Sequence, residues 1–157
     1  MPKKISSADT PVTPNEYVQN LDGFSKTEAM LKTGALQNAM LDSSNFLIVA
    51  TDAKGIIQVF NQGAQRMLGY KPGAILNKLT PADISDQQQL ILRAKALGTQ
   101  FNTNITSGFE ALVFKAMHGH EDIFDLDCIR KDGSHFPLLV CVTALRDEQD
   151  IISGYLF

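Results

Sequence analysis

The sequence predicts an α+β domain, a five-stranded antiparallel sheet with its helices on one face and one further helix before it. Residues 46–60 and 123–142 each contain two short apolar runs separated by turn residues, the pattern of a β-hairpin, and residues 151–157 add a fifth apolar run. Residues 61–119 show helical spacing instead. Strands grouped on both sides of a helical centre indicate one antiparallel sheet covered by helices.

The N-terminal part predicts a flexible leader or linker over residues 1–24 and a flanking helix over residues 25–41. The leader has three prolines among polar residues and little periodic hydrophobicity. The tetrapeptide beginning at Ser25 has capping-box spacing before a helix from about Lys26 to Leu41. Residues 42–157 are then expected to form the domain itself.

The first hairpin is expected to have strands at residues 46–50 and 56–60, with Asp52 to Gly55 as the turn. A short helix should follow directly from Asn61 and stop at Gly69.

Two longer helices are predicted in the centre of the chain. The capping pattern at Ser85 should begin one that stops at Gly98, and the pattern at Ser107 should begin one that ends at Gly119.

The register of the hairpin over residues 123–142 follows from the distribution of charge. A two-residue loop, 132–133, would place charged residues of the first strand opposite apolar residues of the second. A three-residue loop, 131–133, with its glycine at positive φ, pairs Arg130 with Ser134 and leaves one face free of charge. That face is predicted to carry Phe124, Leu126, Cys128, Phe136, Leu138, Val140 and Val142.

Composition narrows the class of protein. A length of 157 residues fits one domain, and a net charge of −3 with scattered basic residues argues against nucleic acid as a partner. No apolar run reaches the roughly 20 residues that span a bilayer, and the N-terminus lacks a signal core, so a cytoplasmic chain without a membrane segment is expected. Cys128 and Cys141 fall on opposite faces of the hairpin and should stay unbridged.

Two stretches resemble the PAS domain, the sensory module of bacterial sensor histidine kinases, diguanylate cyclases and related signalling proteins. IVATDAKGIIQVFNQGAQRMLGY (48–70) is similar to the family's first two strands and following helix, and RKDGSHFPLLVCVTALRD (130–147) with IISGYLF (151–157) is similar to its last three strands. The resemblance covers about residues 34–157. The family usually continues beyond the last strand into a signalling helix, so we expect a truncated module whose output domain is absent.

The resemblance implies a ligand site between the last helix and the uncharged hairpin face. The expected lining consists of Phe114, Met117, Phe124, Leu126, Cys128, Leu138 and Val140. A small organic ligand is one expectation. The alternative is a filled core in a ligand-free, constitutive dimerisation or protein-interaction module, because apolar pockets and apolar cores look alike in sequence.

The resemblance leaves the cofactor unknown and argues against both flavin and haem. Flavin-binding relatives carry an Asn-Cys-Arg motif on the central helices or a pocket tryptophan, whereas Cys128 and Cys141 lie elsewhere and the chain has no tryptophan. Haem-binding relatives place an axial histidine on these helices, where this chain offers His118 at a helix end.

No catalytic or metal site is predicted. His118 and His120 with Glu121 and Asp122 match no common ligand spacing and are interpreted as a solvated helix end, and His135 as an exposed strand residue. No serine lies in a nucleophile-elbow context, and no glycine-rich loop could bind a phosphate.

A homodimer is expected through the N-terminal helix. Its apolar stripe needs a partner, and the outer face of the hairpin carries Leu139 and Cys141 without an obvious cover. We therefore expect the helix and this face to pack together within or between subunits, as in related PAS domains that dimerise through a leading helix.

Overall fold

The computed structural model of the protein describes residues 34–35, 38–39, 42 and 45–157. The chain divides into two compact units, residues 1–40 and 41–157. In the first unit the four described positions are helical. The other residues of the helix predicted from Lys26 to Leu41, and the leader predicted over residues 1–24, lie outside the described residues.

The second unit contains one five-stranded sheet with the order β2-β1-β5-β4-β3, in which all neighbours are antiparallel. This confirms the predicted fold class. The last strand is central, because it joins the N-terminal hairpin to the C-terminal one. The strands are β1 (Val49–Asp52), β2 (Ile57–Phe60), β3 (Asp122–Ile129), β4 (His135–Arg146) and β5 (Ile152–Leu156).

The helices described in the second unit fall between β2 and β3 in the sequence, and their buried residues pack with one face of the sheet. One of them, the 3₁₀ helix, was not predicted, because four residues are too few to show a helical period. They are α1 (Gln62–Leu68), α2 (Pro72–Ile75), the 3₁₀ helix (Pro81–Ile84), α3 (Gln87–Phe101) and α4 (Phe109–Met117).

Two predicted boundaries of α3 were wrong. Asp86, not Ser85, is the N-cap, and its carboxylate accepts a hydrogen bond from the amide of Gln89. The helix continues past Gly98 to Asn102, which takes the left-handed conformation at φ 49°. A Cβ at Gly98 would lie 2.9 Å from the carbonyl oxygen of Thr103, so this glycine permits a close approach of the chain after the helix and does not end it.

The first hairpin begins later than predicted. Strand β1 starts at Val49 because Phe46 is exposed, and it extends to Asp52, which was assigned to the turn. The Asp52 carboxylate accepts hydrogen bonds from the amides of Lys54 and Ile56, each at 2.9 Å, so it closes the turn from the end of the strand.

The register of the second hairpin agrees with the prediction. Leu126 pairs with Leu138 and Cys128 with Phe136, and the Arg130 amide donates to the Ser134 carbonyl at 2.9 Å. Gly133 has φ 84°, the positive value that the three-residue loop requires. The apolar face predicted from this register therefore points toward the helices.

We expect Gly133→Val to lower the free energy of unfolding by at least about 1 kcal/mol, because a β-branched side chain is strained at positive φ. Urea titration measures the change. Gly133→Asn is the matched control, since asparagine tolerates the left-handed region and should retain most of the stability. Equal stability of the valine variant and the wild type would contradict the assigned turn.

The segment predicted to be a solvated helix end contains a buried carboxylate, which corrects that interpretation. Asp122 begins β3 and is only 2% exposed. It forms an ion pair with Arg93 of α3, and Lys115 Nζ of α4 lies 4.0 Å from its other oxygen. Arg93 also donates through Nε to the Ala111 carbonyl at 2.8 Å, so this one guanidinium links two helices to the sheet.

Candidate functional site

A cavity of about 200 Å³ lies between the helices and the inner face of the sheet. Strands β1, β3 and β4, helices α1 and α4, the 3₁₀ helix and the last residue of the chain all contribute to its wall. Of the fourteen described residues that line it, eleven are aliphatic or aromatic and none is charged. The lining comprises Leu47, Val49, Leu68, Pro81, Ile84, Ser85, Leu112, Leu126, Cys128, Leu138, Leu139, Val140, Cys141 and Phe157.

Four of the seven residues predicted for the site line this cavity: Leu126 and Cys128 from β3, and Leu138 and Val140 from β4. They come together because the hairpin register places all four on the inner face. These hairpin residues of the predicted site therefore form one wall of the cavity.

The other three predicted residues lie elsewhere. Phe114 faces α3, with its ring centroid 5.2 Å from that of Phe101. Met117 and Phe124 pack against the neighbouring core cluster, and the Arg93 guanidinium carbon lies 3.4 Å from the centre of the Phe124 ring. Helix α4 instead reaches the cavity through Leu112.

Sequence reasoning missed the walls made by β1, α1, the 3₁₀ helix and the chain end. Pro81 and Ile84 of the 3₁₀ helix are buried, and Ser85 directly after it is only 3% exposed. Thr80 and Asp83 form a capping box at the start of this helix, in which the Asp83 carboxylate accepts a hydrogen bond from the Thr80 amide at 2.7 Å. Their spacing was the one local signal in the sequence that could have predicted the helix. Phe157 reaches the cavity because its backbone forms two hydrogen bonds with Val49 of β1.

The polar side chains of the cavity are hydrogen-bonded within the protein. The Ser85 hydroxyl donates to the Pro81 carbonyl at 2.7 Å, and Ser85 forms an isolated β-bridge with Cys128. Burial raises the pKa of the Cys128 thiol to about 11, although a hydrogen bond with Ser85 acts in the opposite direction. The thiol is therefore neutral at physiological pH and is a weak donor, not a nucleophile.

The histidines are separate from the cavity. His118 Nδ1 lies 2.7 Å from the Phe114 carbonyl oxygen, at the end of α4. His135 is exposed at the start of β4, and its Nδ1 lies 3.5 Å from one carboxylate oxygen each of Asp86 and Asp127. Within the part of the chain that the structure describes, no group of three His, Cys, Asp or Glu side chains could hold a metal ion.

The family model described as PAS domain matches residues 44–157, which is most of the chain. The chain belongs to the PAS family. PAS domains are sensory modules, so the chain is assigned a sensory role and the module itself is not catalytic. Across residues 45–157 and the few described positions before them, no helix is long and apolar enough to cross a membrane.

Solved structures agree with the PAS fold. The PAS domain of an HTR-like protein from Haloarcula marismortui is 20% identical, with a TM-score of 0.53 over 84% of this chain and 93% of that one. A light-oxygen-voltage domain solved with a flavin analogue is 22% identical, with a TM-score of 0.51 over 78% of both chains. The PAS-B domain of Drosophila melanogaster Cycle, with bound ethylene glycol, is 12% identical, with a TM-score of 0.50 over 71% of this chain and 94% of that one.

The residues that carry the PAS resemblance have structural roles here. The Asn61 side chain accepts from the amides of Ile48 and Ala64 and donates to the Phe46 carbonyl, so it joins the first hairpin to α1. Arg130 Nε donates to the Met67 carbonyl at 2.9 Å and thereby fixes the second hairpin to the end of α1. Asn61 and Arg130 therefore position the cavity walls without themselves lining the cavity.

Proposed function

We propose that this chain is the sensory PAS module of a bacterial signal-transduction protein, in which a small molecule in the cavity regulates an attached kinase or cyclase. The observation that carries the proposal is the apolar cavity of about 200 Å³ between the helices and the inner face of the sheet. The attached output domain and the cytoplasmic location expected from the sequence are parts of the same proposal.

The size of the cavity supports a binding role. A volume of about 200 Å³ is enough for a small organic molecule, since an engineered apolar cavity of about 150 Å³ binds benzene. A ligand that binds the folded state raises the apparent stability, and above its dissociation constant this gain grows with the logarithm of its concentration. A cavity of this kind therefore links ligand concentration to the stability of the surrounding walls.

We propose that the cavity holds neither a flavin nor haem, although flavin-binding domains share the fold. A volume of about 200 Å³ is below the roughly 300 Å³ at which pockets for drug-sized ligands begin. No amide side chain of the described residues lines the cavity to meet the polar edge of a flavin ring, and both cysteines lie on strands. No histidine reaches the cavity to serve as an axial ligand to haem. We propose a small organic ligand in place of either cofactor.

The variant Cys128→Phe tests the cavity. The larger side chain should fill the void, so the protein should melt at the same temperature as the wild type or higher and lose its ligand. Thermal melting and mass spectrometry of small molecules extracted from the purified protein measure the two effects.

Val113→Phe is the control for this test, because Val113 is buried in the adjacent core and does not line the cavity. Overpacking there should cost about 1–3 kcal/mol. An equal loss in Cys128→Phe, with no small molecule bound to the wild type, would contradict the ligand proposal and favour the constitutive interaction module.

Strand β4 provides a route from the cavity to the opposite face of the sheet. Leu138, Leu139 and Val140 all border the cavity, and Leu139 is at the same time 72% exposed. Because successive side chains of a strand point to opposite faces, a shift of this backbone on ligand binding moves both surfaces together. The outer face is therefore where we expect the signal to leave the domain.

We propose that a second copy of the chain covers the outer face. Ile123 of β3 is 59% exposed and pairs with Cys141 of β4, which is also exposed, beside Leu139. The same patch on two copies can pair around a two-fold axis, the commonest symmetry of homodimers. The N-terminal helix, residues 25–41, is proposed to complete the interface.

Sedimentation of the full chain and of a chain beginning at Asp42 tests the dimer. The full chain should dimerise, the shortened chain should dimerise at least tenfold more weakly, and Leu139→Lys should weaken the full-length dimer because a charge enters the apolar contact. Mild oxidation should link two copies through Cys141 if the symmetry axis passes nearby. A full chain that stays monomeric at high concentration, or a shortened chain that dimerises as tightly, would contradict the helix as the dimer element.

A further inference from the structure

We infer that the cavity selects a small, uncharged, apolar molecule of about six to ten non-hydrogen atoms and discriminates against polar and ionised metabolites. The inference rests on the proposed function, because it names the class of ligand for the same cavity. Three properties of the lining carry it: its volume, the state of its polar groups and its lack of charge.

The volume sets the size of the ligand. An engineered cavity of about 150 Å³ lined by aliphatic and aromatic side chains binds benzene, which has six carbon atoms. The present cavity, at about 200 Å³, is about a third larger and similarly lined. One substituted ring or a short branched chain therefore fills it, whereas a fused three-ring system does not.

The polar side chains of the lining offer a ligand few hydrogen-bonding partners. The only hydroxyl among the described lining residues, that of Ser85, already donates to the Pro81 carbonyl. The Cys128 thiol has a hydrogen bond with Ser85 and is a weak donor. Among the described residues, no buried side-chain nitrogen or oxygen lacks a partner. A hydroxyl or amide group on a ligand would lose its hydrogen bonds to water on entering the cavity and would gain no equivalent hydrogen bond there. A ligand that carries such a group should therefore bind more weakly than an apolar molecule of the same shape.

The cavity disfavours charged ligands more strongly than polar, uncharged ones. Among the described residues, no Lys, Arg, His, Asp or Glu lines the cavity, so a ligand carboxylate, phosphate or ammonium would be buried without a counter-ion from these walls. An unpaired charge in an apolar site is far more costly to bury than an unpaired hydroxyl. The cavity therefore discriminates against ionised metabolites even when they match its volume.

The test uses three probes with the full chain: toluene, phenol and benzoate. Toluene and phenol have nearly the same shape and differ in a methyl and a hydroxyl group, and benzoate adds a charge within the allowed size. We expect toluene to bind with a dissociation constant of roughly 0.1–1 mM. At ten times that concentration it should raise the melting temperature by about 3–5 °C. Phenol should bind at least about tenfold more weakly, and benzoate should leave the melting temperature unchanged.

Cys128→Phe locates the binding. Chemical-shift changes on toluene addition should appear at the cavity walls in the wild type and disappear in the variant, while the fold is preserved. Phenol or benzoate binding as tightly as toluene, or undiminished toluene binding in Cys128→Phe, would overturn the inference.

The two proposals can fail separately. A polar molecule that co-purifies with the wild type and is lost in Cys128→Phe would overturn the apolar ligand class and leave the sensory function intact. Failure of every probe to bind, with no co-purifying molecule, would overturn both the ligand class and the ligand-sensing part of the proposed function.

Discussion

Asp122→Asn should lower the free energy of unfolding by about 3 kcal/mol or more. The substitution removes the charge that pairs with Arg93 and leaves the guanidinium beneath the surface, where it stacks on Phe124. Breaking one partner of a buried ion pair typically costs 3–5 kcal/mol, because the remaining charge stays buried without compensation. The effect should be large because Arg93 also holds the Ala111 carbonyl of α4, so three elements share one guanidinium.

Urea unfolding of Asp122→Asn, Arg93→Met and the double variant measures this interaction. The double variant should lose less stability than the sum of the single ones, because the residues act as a pair. Asp125→Asn, on the same strand but exposed, is the matched control and should stay within about 0.5 kcal/mol of the wild type. A loss below about 1 kcal/mol in Asp122→Asn would show that the ion pair does not stabilise the fold.

Gly154→Ala should be at least as severe, with an expected loss of about 3 kcal/mol or more. A Cβ on Gly154 would lie 2.0 Å from the carbonyl oxygen of Thr51, on the neighbouring strand β1. The obstacle is backbone, so no side-chain rotation relieves the clash, and β5 must separate from β1. Overpacking of ordinary core positions costs about 1–3 kcal/mol, and a clash with a paired strand should exceed that range.

Gly73→Ala is the control for this substitution. It adds the same methyl group in helix α2, where no atom lies within 4 Å of the new Cβ. There alanine should be neutral or should stabilise the protein by up to about 1 kcal/mol, because it reduces the freedom of the unfolded chain. Thermal melting of both variants compares them, and equal stability of Gly154→Ala and the wild type would contradict the strand order in which β5 lies beside β1.

The sheet could be predicted from the sequence because the side-chain period of a strand is two. A shift of one residue in the second hairpin would expose Leu126 and bury Asp125, so the charge pattern selected the register. The strand order required more than periodicity. It was not predicted, and the close approach of Gly154 to Thr51 is evident only once β1 and β5 are seen together.

The candidate site was predicted on one side only. Helix α4 is apolar on nearly all sides, because it packs against both the sheet and α3. Its periodicity therefore could not separate Leu112, which lines the cavity, from Phe114, which faces α3. The ion pair of Asp122 also could not be predicted from the sequence, because its partner Arg93 lies 29 residues earlier in the chain.

The central place of β5 also determines when the domain can fold during synthesis. The hairpins β1–β2 and β3–β4 are not adjacent in the sheet, and only β5 hydrogen-bonds to both. A ribosome adds about 5–20 residues per second, so the first hairpin exists for seconds before its partner strand is made. Throughout that time the edge of β1 that later pairs with β5 is open to other chains, and the corresponding edge of β4 is open from the moment β4 is made. The emerging domain is therefore most exposed to misassembly just before its last five-residue strand, Ile152–Leu156, leaves the ribosome.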